Sequence, residues 1–260
     1  MCRLFGLYAN KPVDVSFSFY KARKSFKKQS KSNPQGWGIA WFDGVKWSIY
    51  KEPQPLYASR LAKGLAKQAL GKIIIAHVRL ATHGMLTREN THPWLYKGWV
   101  FAHNGTIDAE GLSNLLREEY RDFEGETDSE RFFHLIIQEV EELGDPIDGI
   151  KSAVRKVEEE NIYFSSLNFI ASDGERLYAL RYAAESENYY TLYYTKRPGE
   201  PPLRMLSKET KQLIEVKRAR GERAVLIASE PMTEEEWKLI ENRHLVVVDA
   251  DLNINEVNLS

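Results

Sequence analysis

Cys2 is the only cysteine in a chain of 260 residues, and it stands directly behind Met1. Cysteine is small enough for an aminopeptidase to remove a preceding methionine. Removal would leave a thiol and a free α-amine on one residue, a nucleophile and its base together. An α-amine titrates near pH 7.7–8.0, so about a tenth or more of it can accept a proton at pH 7. The thiol, with an ordinary pKa near 8.5, is a strong nucleophile once it becomes thiolate. The plainer reading is a small buried residue at the start of a strand, because free cysteine packs as a hydrophobe.

Other chemistry-bearing residues gather in four short runs. These are Ala76-His-Val-Arg-Leu-Ala-Thr-His-Gly84, Asn90-Thr-His-Pro-Trp94, Ala102-His-Asn-Gly105 and Gly125-Glu-Thr-Asp-Ser-Glu130. They hold four of the six histidines, and each follows a strand-like or loop-like stretch. Strand ends are where rigid sheets hold functional groups in place. His77, His83, His92 and His103 read first as satisfied hydrogen-bonding groups that shape loops. A zinc site is weakly supported, because no histidine pair has the i, i+4 helical spacing. Asn104-Gly105 taken alone reads as a turn. Arg79 offers the planar fork that suits a carboxylate, or it pairs with a core acid. Asp128 offers a negative charge for an ammonium, or it caps a helix.

Taken in order, Cys2, Arg79-Leu-Ala-Thr-His-Gly84, the Asn-Thr-His-Pro run, His103-Asn-Gly105 and Glu126-Thr-Asp128 resemble the glutaminase domain of class II glutamine amidotransferases, which are N-terminal-nucleophile hydrolases. The match runs from residue 2 to about residue 135. Beyond it the similarity is mainly β pattern, with Ala228-Ser-Glu-Pro231 as a further likeness. Gly36-Trp-Gly38 and the chain length look most like the stand-alone YafJ-like branch, whose members include enzymes acting on γ-glutamyl compounds.

The resemblance implies roles. Cys2 attacks the side-chain amide carbon of glutamine, and its α-amine carries the proton to the leaving ammonia. Water then hydrolyses a γ-glutamyl thioester. Asn104 and the Gly105 N–H stabilise the oxyanion, and Arg79, Thr82, His83 and Asp128 bind the amino-acid end of the substrate. The fold implied is α+β, a four-layer αββα sandwich with two mainly antiparallel sheets between helical layers. One departure is Leu80, where synthase-bearing members often have tryptophan. No synthase segment follows within these residues, so either a separate synthase or hydrolase subunit takes the ammonia, or the reaction is hydrolysis of another γ-glutamyl amide, glutathione-like or ergothioneine-precursor-like. Two readings of other classes compete. One is a cysteine hydrolase for acyl conjugates, which needs an apolar pocket in place of the Arg79 and Asp128 pair. The other is a catalytically silent binding domain.

The elements that must position these residues follow from pattern. Cys2–Tyr8 and Lys72–Arg79 read as strands, the latter apolar on both faces. Trp99–His103 is another. Asp43-Gly44 and Asp173-Gly174 mark hairpins between β-rich runs. Helices are expected over Val15–Lys31, Ser59–Leu70, Asp108–Glu119, Ser129–Leu143 and Ile147–Glu159, with Asp128 as the cap of the fourth. Later strands are expected at Tyr189–Tyr194, Ala224–Ala228 and His244–Val248, with a loop over Arg197–Pro202. The aromatic run Tyr163–Tyr194 suits core better than a dimer surface. The cations between Lys21 and Lys31 read as a solvated face. No boundary splits the chain, so residues 1–260 are expected to form one domain.

Composition bounds the function. Hydrophobic residues make up 43% and charged residues 28%, with a net charge of −1. That balance suits a globular protein and gives no reason to expect nucleic acid or an anionic membrane as partner. One cysteine excludes an internal disulfide framework. No membrane-length apolar run or signal pattern is present, so a cytoplasmic location is expected. The covalent route needs no cofactor and no metal.

Overall fold

The computed structural model describes residues 2–81, 84–198 and 206–259. Its strands are β1 (Arg3–Val13), β2 (Trp37–Phe42), β3 (Trp47–Glu52), β4 (Gly71–Val78), β5 (Trp94–Tyr96), β6 (Trp99–Asn104), β7 (Asn168–Ser172), β8 (Leu177–Arg181), β9 (Tyr193–Arg197), β10 (Ala224–Ala228), β11 (Lys238–Leu239), β12 (His244–Val248) and β13 (Ile254–Asn258). Its α-helices are α1 (Phe26–Gln29), α2 (Ala62–Gln68), α3 (Ala109–Leu115), α4 (Asp128–Leu143), α5 (Pro146–Glu159) and α6 (Lys208–Ala219).

Two antiparallel sheets form. The first has the order β11-β9-β10-β1-β4-β2-β3, the second β13-β12-β8-β7-β6-β5. Alternation along each strand sorts side chains into layers. Leu4, Ile73, Ile75, Val100, Ala102, Ile170 and Ile227 meet between the sheets. Phe5, Leu7, Ile74, Ala76 and Leu226 face outward from the first sheet onto Phe19, Phe26 and Ala66. Phe101, Phe169 and Tyr178 face outward from the second onto Phe132, Phe133, Ile136 and Val154 of α4 and α5. This is the αββα sandwich. β4 lies between β1 and β2 and is buried from Ile73 onward, as an apolar strand covered on both faces should be.

Both Asp-Gly hairpins form, and in each the aspartate accepts backbone N–H groups across the turn: Asp43 from Val45 and Lys46, Asp173 from Glu175 and Arg176. Other expectations shift. The N-terminal helix is broken into a π-helical turn at Phe17–Lys21 and the short α1. The strand near residue 190 begins at Tyr193. Thr127, not Asp128, caps α4: its hydroxyl accepts the Glu130 N–H while its backbone is extended, and Asp128 is already helical. The Lys21–Lys31 cations are exposed. Of the aromatic run, Phe169, Tyr178 and Tyr182 are core, whereas Tyr163 and Tyr189 are exposed. Of the expected loop after Arg197, residues 199–202 lie outside the described residues. Among the described residues no helix is long and apolar enough to cross a membrane.

Candidate active site

Strand register brings the first three site residues to one end of the sandwich. Arg3 pairs with Val78 and Leu4 with His77, so the start of β1 lies beside the end of β4. Arg79 follows immediately. Across the inter-sheet layer, β6 ends at Asn104, paired with Asn168 of β7. Val100 and Ala102 face the first sheet, so the period-2 alternation turns Asn104 the same way. Cys2, two residues before the inward-facing Leu4, takes the matching position opposite. The His77 side chain lies near His103, so the ends of β4 and β6 meet across the layer.

The Cys2 thiol is half-buried and is held by one backbone unit. The Leu80 N–H donates to its sulfur at 3.2 Å, and the thiol donates to the Leu80 carbonyl at 3.4 Å. Burial pushes the thiol pKa up. The Leu80 contact and the nearby Arg79 and Arg3 guanidinium charges partly oppose that rise. Leu80 therefore acts on the Cys2 thiol through its backbone, which any residue type except proline could supply.

Arg79 is 3% exposed. Its guanidinium donates to the Met85 carbonyl at 3.1 Å and reaches the Gly84 carbonyl at 3.5 Å. Burial lowers its pKa, while Cys2 and Asp128 pull the other way by charge. Its backbone is clamped by the Gln35-Gly36 segment: Arg79 N–H donates to Gly36 O, and Arg79 O accepts from the Gln35 N–H. The Gln35 side chain then accepts the Ala81 N–H at 2.7 Å.

Asp128 is buried at the start of α4. Its carboxylate accepts the Ile107 N–H at 2.7 Å and the Ser129 N–H at 2.8 Å. It thereby ties the helix to the segment that follows Asn104-Gly105. Gly105 is not there for a turn. A Cβ on it would sit 1.8 Å from the Ser166 carbonyl oxygen, so only glycine allows the two backbones to approach. His103 fastens the same corner, contacting Ser129 Oγ at 2.9 Å and Ser166 O at 3.0 Å. Thr82 and His83, expected at the pocket loop, lie outside the described residues.

His77 and His92 correct the expectation of satisfied histidines. Their rings lie 4.0 Å apart, tilted by 34°, His92 also packs on Trp94 at 4.1 Å, and none of the four ring nitrogens makes a hydrogen bond among the described residues. Burial holds both neutral, His77 with a pKa lowered to about 3 and His92 well below its ordinary value.

Sequence reasoning missed the residues that hold the site together. Asn90 donates to the Met85 carbonyl at 3.2 Å and accepts the Glu126 N–H at 2.8 Å, joining the loop under Arg79 to the loop before Asp128. Ser229 Oγ accepts the Leu4 N–H at 2.8 Å, and Glu230 takes Arg3 and Lys24, each at 2.9 Å. The Ala228-Ser-Glu-Pro231 run is thus the anchor of the N-terminal strand. Its motif was visible, but contacts spanning more than 200 residues carry no local signal. Among the described residues no cluster of three metal-ligating side chains occurs.

The chain matches the family model described as "Glutamine amidotransferases class-II" over residues 1–257. It is 34% identical over 259 residues to the uncharacterized protein MJ1515 of Methanocaldococcus jannaschii, covering 95% of this chain and 69% of that one. It is 30% identical to YafJ of Escherichia coli over 208 residues, 74% of this chain and 76% of YafJ. Among solved structures, the glutamine phosphoribosylpyrophosphate amidotransferase of B. subtilis superposes with a TM-score of 0.66 at 19% identity. That match covers all of this chain and 49% of that one, and it speaks to the fold alone.

Proposed function

The chain belongs to the class II glutamine amidotransferases, and from that premise we propose that it is an N-terminal-cysteine amidohydrolase that cleaves the γ-amide of glutamine through a Cys2 thioester. Removal of Met1 puts the α-amine on Cys2. That amine takes the thiol proton, the thiolate attacks the amide carbon, and the protonated amine delivers the proton to the departing ammonia. Water repeats the sequence on the thioester and releases glutamate.

The observation that carries this reading is the convergence of Cys2, Arg79 and Asn104-Gly105 at one end of the sandwich, with Asp128 bonded to the segment that follows Gly105. Asn104 Nδ2 and the Gly105 N–H supply the oxyanion donors. Arg79 takes the substrate α-carboxylate and Asp128 its α-ammonium, with Thr82 and His83 completing the pocket loop. The charged Arg79 and Asp128 pair favours an amino-acid substrate over an acyl conjugate. The same groups accept any γ-glutamyl amide, so glutathione-like compounds are the alternative substrates. A separate synthase or hydrolase subunit is the proposed consumer of the product.

The test is glutamate release from glutamine by protein whose intact mass shows Met1 removed, with Cys2→Ala beside it. Release that vanishes in the variant is expected. Equal release by both proteins rejects Cys2 as the nucleophile. No release from glutamine or from any γ-glutamyl amide rejects the reaction.

A further inference from the structure

A cavity of about 1130 Å³ opens on the outer face of the first sheet, on the opposite side of β1 from Cys2. Its floor is apolar: Leu7 and Val13 from β1, Ala224 and Leu226 from β10, and Phe17 from the π-helical turn. Its roof is α6, which turns Leu213 and Val216 toward it. Its rim is cationic. Eight Lys or Arg side chains line it against four Asp or Glu, an excess of four positive charges in a chain whose net charge is −1.

Ion pairs account for half of those cations. Arg197 is paired with Glu235, Lys217 and Arg220 with Glu222, and Arg23 reaches Glu234 at 4.0 Å. Lys21, Lys28, Lys67 and Arg223 have no acidic partner among the described residues. Uncompensated cations around a concave apolar floor cost self-repulsion unless an anion relieves it. The volume lies just above the roughly 300–1,000 Å³ usual for small-molecule sites. That is too roomy for a simple ion and suits a ligand of nucleotide size.

We propose that this cavity binds an organic polyanion, its phosphate or carboxylate groups held at the rim by Lys21, Lys67 and Arg223 and its ring or other apolar body laid on Leu7, Phe17 and Leu226. The proposal is independent of the Cys2 chemistry, since no residue of the candidate active site lines the cavity.

Isothermal titration calorimetry with three probes tests it: ATP (body and charge), tripolyphosphate (charge alone) and adenosine (body alone). ATP is expected to bind with one-to-one stoichiometry, more tightly than tripolyphosphate, with affinity falling as NaCl rises. Adenosine is expected not to bind. Replacing Lys21→Ala and Lys67→Ala together is expected to weaken ATP about tenfold or more. The exposed control pair Lys46→Ala and Lys72→Ala, and the Cys2→Ala protein, are expected to bind ATP as the parent does. The proposal is overturned by any of three results: no saturable ATP binding, equal binding of adenosine, or equal losses in both lysine pairs. Unchanged thermal midpoints in the lysine variants tie the losses to the site.

Discussion

Cys2 and Asn104 differ in what their loss removes. In the proposed mechanism, loss of the Cys2 sulfur abolishes the thioester. Loss of the Asn104 amide leaves the thioester able to form but takes from the developing oxyanion one of its two proposed donors. One such donor is worth about 100–1,000-fold in kcat. Asn104→Ala is therefore expected to lower kcat for glutamine by that factor with KM little changed, because the donor meets the oxyanion and not the ground-state carbonyl. Steady-state kinetics reads the split, and a loss confined to KM would move Asn104 from catalysis to binding. The thiol makes a second prediction. Arg79 lowers the pKa of a sulfur that burial has raised, so Arg79→Gln is expected to shift the pH profile of Cys2 alkylation by iodoacetamide to higher pH. An unmoved profile would show that the Arg79 charge does not reach the sulfur. Cys2, the Asn104-Gly105 pair, Arg79 and Asp128 were legible in the sequence as motif residues. The Leu80 backbone contact with Cys2 was not, because a backbone donor leaves no trace in residue type.

At the scale of elements, the helices that back the site depend on one close crossing. Asp145 caps α5 by accepting the Ile147 and Asp148 N–H groups, and Pro146 starts it. Gly149 then lets α5 lie against α4: a Cβ there would stand 2.5 Å from Val140 Cα and 2.6 Å from Val140 N. In an open helix Gly→Ala stabilises by about 0.5–1 kcal/mol. Here the added methyl meets backbone that cannot move aside, and overpacking of this kind costs about 1–3 kcal/mol. Gly149→Ala is expected to destabilise the protein despite its better helix propensity, seen as a lower urea midpoint. A midpoint at or above the parent's would mean that α4 and α5 separate freely. Elements with a strong apolar period, such as β4, α4 and α5, were readable in advance. α6 was not, because Lys208–Ala219 buries only Thr210 and Ile214 and so shows no apolar stripe. β13 is a half-exposed edge strand of Ile-Asn-Glu-Val-Asn, too short and polar to stand out. The basic run around Lys21–Lys31 looked helical by spacing, yet the cover over the first sheet breaks it in two.

For the whole molecule, the two-sheet sandwich confines imidazoles that cannot take up a proton. His77 is fully buried between β4 and the second sheet, with its folded pKa lowered to about 3. His92, His103 and His134 are lowered too, each chiefly by burial. In the unfolded chain a histidine titrates near 6.5. Below that pH the unfolded state binds protons that the folded state refuses, so stability falls as pH drops from about 6.5 toward 3. For His77 alone the loss between about pH 8 and about pH 5 is about 2 kcal/mol, from the logarithm of the unfolded protonation ratio. The depressed carboxylates, such as Glu139 and Glu141, have the same sign but act only near and below their ordinary range around pH 4.5. The window from about pH 6.5 to 5 therefore belongs to the histidines. Urea unfolding at the two pH values should show the parent losing stability on acidification, and His77→Gln losing about 2 kcal/mol less of it. The comparison of slopes holds even if the substitution shifts stability equally at both pH values. Identical slopes in parent and variant would mean that acid opens the end of the sandwich and protonates His77 in the folded state, which would bring water to the layer beneath Cys2 and Asn104.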